Sequence, residues 1–342
     1  MIKRCLGVLG AMALAAASLS AGSASAATAP LAKVQWQSEI AKIQQPGAGC
    51  YNASYPALSW HAVRYVAAPR IPLVPAVPTG RTPFKVVGDG NDYSAVVTGN
   101  ISQATGTFQN VSSGITEKGA VGGSGPKVAN VFSLQLNTQF ISGDPACAGA
   151  SNPSSCQAWQ QFVYAYQGVG QIFIQYWLID YNATCPSGWT TFSTDCFTNS
   201  ANSVNVNKIT AAQLASLKFT GTAKAGGNDT TVLSVGTGKA SSITSPDSMI
   251  HLANFWTTTE WGVYGDGGGS EAVFGAGTSL EAVTAITATS NTAPKCVLEG
   301  FTGETNNLKL AKTPALGSEP TPTMGSKQTN GTTGTKSCAT AS

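Results

Sequence analysis

The 342-residue chain predicts an all-β protein, a two-layer antiparallel β-sandwich or jelly roll. Three observations carry that expectation. Across residues 92–310, apolar and polar positions alternate with a period of two, in short runs rich in Val, Ile, Thr and aromatic residues. Turn-forming clusters divide these runs: GDGND at 88–92, GGSGP at 122–126, GVG at 168–170, AGGND at 225–229 and GDGGGS at 265–270. Only 10% of residues are charged while 38 are glycine, a balance suited to an extracellular β protein with many turns.

Taken in order, residues 1–26 read as a secretory signal peptide. Lys3 and Arg4 precede an apolar core that ends at the small-residue site Ala24-Ser25-Ala26. Its removal subtracts two positive charges, so the formal net charge falls from +3 to +1. No later segment reaches the roughly 18 apolar residues of a membrane span, which predicts a soluble, secreted product. Residues 27–91 form an N-terminal arm with a short helix expected over 34–43. Within it, Pro69, Pro72, Pro75, Pro78 and Pro83 make an extended linker, either a strap across the sheet or a pro-segment removed later. The sandwich domain is expected over 92–312, with strands at 93–98, 128–140, 157–166, 171–181, 216–223, 230–235, 259–264, 271–274 and 279–287. Residues 313–342, rich in Thr, Ser, Gly and Pro, read as a disordered tail.

The densest signal lies at 156–189, two aromatic-rich runs joined by the GVG turn. Large residues occupy both faces of 172–179, which places that strand within layered sheets. Gln175 then needs partners, since an unpaired buried amide costs about 1–3 kcal/mol. A neighbouring backbone or Tyr hydroxyl would supply them, and a role toward substrate is the alternative.

Seven cysteines follow the signal segment, and export implies oxidation. Cys147 with Cys156 and Cys185 with Cys196 are expected to close short loops flanking the aromatic hairpin. Cys50, Cys296 and Cys338 leave one thiol over.

The catalytic supply is narrow. His61 and His251 are the two histidines, G-x-S-x-G is absent, and neither Cys nor His falls at metal-ligand spacing. Neither cofactor nor metal is expected. A near-neutral chain without a Lys/Arg cluster is a poor nucleic-acid binder. A hydrolase would therefore have to work with carboxyls and amides. The segment TTTEWGVYGDGGGSEAVF brings Glu260, Asp266 and Glu271 onto one strand–turn–strand unit, where burial beside Trp261 or Tyr264 would raise a carboxyl pKa. Asp266 could equally serve only to cap its glycine turn.

Residues 150–275 resemble the neprosin-type and eqolisin-type glutamic peptidases, secreted proteases whose β-sandwich is of the concanavalin kind. Gln157-Ala158-Trp159-Gln160, the turn Gly168-Val169-Gly170, the aromatic run 173–177 and Cys185-Pro186-Ser187-Gly188 match, in order, the neprosin stretches. Cys156-Gln157 is similar to the Cys-Gln pair preceding an eqolisin strand, and Gly265-Asp266 with Glu271 and Phe274 resembles the second neprosin carboxylate segment. Gln157 stands where neprosins carry Glu, Asp266 stands where both families carry Glu, and Tyr264 stands where eqolisins place their Glu after a Glu-Trp pair. The resemblance implies an acid-acting peptidase. Asp266 or Glu271 would activate water, and Gln157, or Gln175 in its place, would orient it and stabilise the oxyanion. Trp159, Tyr176, Trp177, Trp261 and Tyr264 would line the substrate face. The alternative is a non-catalytic, lectin-like module holding an extracellular peptide or glycan on the same aromatic face. A monomer is expected in either case, with no membrane or nucleic-acid partner.

Overall fold

The period-two runs pair into two large antiparallel sheets that press face to face. The computed structural model describes residues 32–76, 93–236, 238–331 and 338. The expected signal peptide lies outside the described residues.

The front sheet is built on β1 (Ser94–Val96), β2 (Ser133–Thr138), β3 (Gln157–Tyr166), β4 (Gly170–Ile179), β5 (Asp195–Asn199) and β6 (Thr258–Tyr264). Their spatial order is β5–β4–β3–β2–β6–β1, with Thr190–Phe192 and Lys295–Val297 at the two edges. In the back sheet, Ile101–Gln109 lies between Lys218–Thr222 and Ser279–Ala288, and Asn228–Val235 and Lys239–Pro246 follow outward. A small third sheet joins Thr305–Asn306, Glu271–Phe274, Glu117–Ala120 and Lys127–Ala129.

Between the large sheets lies the main core, including Phe162, Tyr164, Ile174, Tyr176 and Trp261 from the front and Phe108, Phe219 and Ile286 from the back. Close approach there requires glycine. A Cβ on Gly106 would run into the Trp261 ring, and one on Gly221 into Phe162 and Leu136. Each missing side chain makes room for a large one opposite, which keeps the layer filled.

Several expectations change. The run expected at 128–140 breaks in two, because Asn130 takes a left-handed conformation (φ 58°) and its side chain accepts from the Ala211 amide at 2.8 Å. Strands Ile101–Gln109 and Lys239–Pro246 escaped sequence reading, since their Ser, Thr, Gln and Ala content reads as linker. The segment expected to be an unstructured tail contributes strands Ala315–Gly317 and Thr323–Thr329, the latter pairing along Ser279–Ala288. Backbone hydrogen bonding to an exposed edge is indifferent to side-chain polarity. Part of the N-terminal arm is also integral. Helix Lys33–Lys42 packs Trp36 and Ile40 against Tyr51, Trp60 and Val232, and Cys50–Ser54 pairs with Lys239–Pro246.

Cys147–Cys156 and Cys185–Cys196 are disulfides, and a third joins Cys296 to Cys338. Cys50 is free and buried. No described helix is long and apolar enough to cross a membrane.

Candidate active site

Register alone builds the candidate site. Asn199 pairs with Gln175, Gln175 with Gln161, Gln161 with Asn137, Asn137 with Glu260, and Glu260 with Ser94. Because residues paired across a sheet project to the same side, these six form one polar row running across all six front strands. The row lies on the sheet face turned away from the main core. Gln175, Gln161, Asn137, Glu260 and Ser94 are all buried. One step along the strands, Gln135 adds another buried amide.

The row is hydrogen-bonded as a network. Asn137 Nδ2 donates to Glu260 Oε2 at 2.8 Å and to Gln135 Oε1 at 3.2 Å. Gln161 Nε2 donates to Gln135 Oε1 at 3.0 Å, and Gln135 Nε2 donates to Glu304 Oε2 at 3.3 Å. Glu260 and Glu304 are thus two buried carboxyls bridged by two amides. Glu260 also accepts from the Phe301 amide at 3.1 Å and the Tyr264 hydroxyl at 3.2 Å. Glu304, from a loop following the front-sheet edge, accepts from the Gly269 amide at 3.0 Å and from the Thr302 hydroxyl. Gln161 Oε1 and Asn137 Oδ1 are buried and accept no hydrogen bond among the described residues.

Burial raises both carboxyls. Glu260 is lifted to about 7, against the opposing pull of Asn137, Phe301 and Tyr264, and Glu304 is raised by the same cause. A carboxyl in that condition holds a proton where an exposed one would be ionised, as acid–base chemistry on a peptide requires.

Residues 69–76 run across this face. The amide of Leu73 donates to Gln175 Oε1 at 2.7 Å, and Gln175 Nε2 donates to the Ile71 carbonyl at 2.8 Å. The amide of Val74 donates to Glu304 Oε1 at 2.9 Å. The proline-rich segment is therefore a strap over the sheet up to Ala76, and residues 77–92 lie outside the described residues.

The residues singled out in the sequence divide by strand phase. Gln175, Trp159, Trp177 and Tyr264 share the strap-covered face, where Trp177 Nε1 donates to Gln175 Oε1 at 3.0 Å and Trp159 Nε1 to the Thr138 carbonyl at 3.0 Å. Tyr176 and Trp261 sit one residue out of phase and belong to the core between the sheets, where no substrate reaches.

Gln157 and Asp266 do not meet. Gln157 begins β3, half-exposed, and its amide reaches Ser142 Oγ at 3.3 Å. Asp266 accepts from the amide of Tyr166, at the other end of the same ten-residue strand, at 2.8 Å. Nine steps of about 3.3 Å separate the two by roughly 30 Å, far beyond sharing a water. Asp266 also accepts from the Gly122 amide at 3.0 Å and Gln167 Nε2 at 2.7 Å, tying the glycine turn to the end of β3. Burial lifts it to about 7. Glu271 lies on the small sheet with its carboxylate 3.2 Å from Lys127 Nζ, both side chains partly exposed.

The residues that sequence reasoning missed are Gln135, Asn137 and Glu304, along with the position of Glu260 beside them. For those on strands the one signal is an amide or carboxyl in the same phase as a neighbouring aromatic residue within a strand run, and Glu304 has none. Which runs become neighbours is needed to turn that into a site.

Among solved structures, the chain is similar at a distance to scytalido-glutamic peptidase. A crystal structure of that protein with a peptide-based transition-state analog is 11% identical, with 69% of this chain and 97% of that one covered and a TM-score of 0.27. A second, with a transition-state analog inhibitor, is 14% identical over the same shares, with a TM-score of 0.29. No family model and no curated protein matches the chain.

Proposed function

We propose that this chain is an exported peptidase, active in acid, that uses Glu304 as its acid–base carboxyl. One observation carries the reading. A chain threading the groove donates a backbone amide to a buried carboxyl, Val74 N to Glu304 Oε1 at 2.9 Å, beside a second amide held by Gln175 at 2.7 Å. A substrate lying as the strap lies would place the nitrogen of one peptide bond on Glu304.

In that setting ionised Glu304 takes a proton from water as the water oxygen bonds to the peptide carbonyl carbon. The same proton then passes to the amide nitrogen as the carbon–nitrogen bond breaks, which leaves the carboxylate free again. Gln135, fixed by Asn137, Gln161 and Ser133, orients Glu304, and Glu260 holds the amides in place. The step needs Glu304 ionised while Glu260, raised to about 7, still holds its proton, so that no second buried charge opposes it; Glu260 gives that proton up as pH rises through the same value. Activity therefore belongs below that value. Three disulfides fit export to an oxidising compartment.

Denatured casein is the substrate for a test from acid to neutral pH. Glu304→Gln keeps the acceptor oxygen for the groove and removes the acid–base group, so cleavage should fall at least about a hundredfold with the fold retained. Glu271→Gln should cleave as the unaltered chain does. Equal cleavage by Glu304→Gln would remove the assignment. Casein held but never cut would leave a peptide-binding module, the alternative that the fully hydrogen-bonded state of Glu304 favours.

A further inference from the structure

We infer that the groove over the polar row is a binding site for an extended peptide bearing a branched aliphatic side chain, and that residues 71–76 are its built-in occupant. This deepens the peptidase reading by assigning the substrate class, and rests on it only for turnover.

The groove satisfies the strap's backbone almost completely. The carbonyl of Ile71 accepts from Gln175, and that of Pro72 from the Gly268 amide at 2.8 Å. The amides of Leu73 and Val74 go to Gln175 and Glu304. The Val74 carbonyl accepts from the Gly303 amide at 2.6 Å, and the Ala76 amide donates to the Phe301 carbonyl at 2.8 Å. Pro72 and Pro75 have no N–H and so need no acceptor. Apart from the bridge of Pro75 with Thr302, the segment adds to no sheet ladder among the described residues; side chains and loop amides read it instead.

Consecutive side chains then fall to opposite sides of Gln175. Leu73 is fully buried against Val163, Ala165 and Phe173. Val74 packs with the cluster of Trp159, Trp177 and Phe301, and Ala76 with Tyr264. Prolines on either side of the Leu-Val pair hold it extended.

The occupant is separable from the fold. Leu73, Val74 and Ala76 all lie in small clusters distinct from the main core between the sheets. Displacing the strap would leave Gln175 and Glu304 without its backbone partners, a loss that water or the amides and carbonyls of another chain must make good. A groove of that kind discriminates for backbone by its polar groups and for side chain by the Leu73 pocket.

The test uses the full chain carrying Leu73→Asp, since a carboxylate has no partner among Val163, Ala165 and Phe173. A fluorescein-labelled peptide, Arg-Ile-Pro-Leu-Val-Pro-Ala, is titrated in by fluorescence anisotropy, beside versions with Leu replaced by Ala or by Asp. The variant should bind the parent peptide, the Ala version at least about tenfold more weakly, and the Asp version not measurably. The unaltered chain should bind the parent peptide at least about tenfold more weakly than the variant does, because its own strap competes. Leu73→Gly reads the same outcomes should the aspartate prevent folding. A folded variant with a protease-sensitive strap that binds no peptide, or binds all three alike, would overturn the inference. Peptide binding without casein cleavage would leave this site standing and remove the peptidase reading. Cleavage with no binding preference for Leu would do the reverse.

Discussion

Glu260 makes the site's electrostatics measurable in the fold itself. Its carboxyl is buried and its pKa is raised from an ordinary 4.5 to about 7, with burial the dominant cause. A carboxyl raised in this way binds its proton more tightly folded than unfolded. Its contribution to stability is therefore full below the unfolded value and is lost as pH rises through the folded one. The interval from 4.5 to about 7 corresponds to about 3 kcal/mol, an upper figure because the ionised group can recruit water or shift its partners. Asp266, raised to about 7, and Glu117, raised to about 8, add in the same direction. Stability should thus decline between about pH 5 and about pH 8, the opposite of a protein held by ionised carboxylates. Glu260→Gln isolates one share. A Gln oxygen can still accept from Asn137 and Phe301, while its amide donates to the Tyr264 oxygen, so the replacement keeps the geometry and removes only the titration. By urea unfolding followed through tryptophan fluorescence, the variant should match the unaltered chain near pH 4. Near pH 8 it should exceed it by up to about 3 kcal/mol. A flat profile for the unaltered chain, or an unchanged slope in the variant, would refute the reasoning.

Three other expectations are independent of catalysis. Gly106→Ala drives a methyl into the Trp261 ring between the sheets and should cost about 3 kcal/mol or more, read from the urea midpoint. Gln157→Ala, which loses only a long contact to Ser142 at a half-exposed position, should change stability by no more than about 0.5 kcal/mol and leave the pH profile untouched. The thiol of Cys50 is buried and pushed up to about 11, so iodoacetamide should label it only after the chain is unfolded in urea, and rapid labelling of native protein would contradict its placement.

Much of the scaffold could be read without coordinates. Alternation marked the front sheet's central hairpin, and Gln157–Tyr166 emerged at the boundaries expected of it. The two short-loop disulfides followed from spacing, and the strap from its prolines. Composition also narrowed the chemistry to carboxyls and amides, and these are what the outer face of the front sheet collects.

Tertiary structure decided which of them meet. A period of two assigns each side chain to a face, yet says nothing of which strand lies beside which, because the ladder that orders strands is made of backbone groups common to every residue. The polar row draws on Ser94, Asn137, Gln161, Gln175, Asn199 and Glu260, brought together by register across strands far apart in sequence. Glu304 arrives from a loop with no periodic signature at all. Gln157 and Asp266, each plausible from its motif, end near opposite ends of one extended strand. Strand phase removed Tyr176 and Trp261 from the groove and kept Trp177 and Tyr264 within it. One residue of offset is enough, since neighbours along a strand point to opposite sides of the sheet.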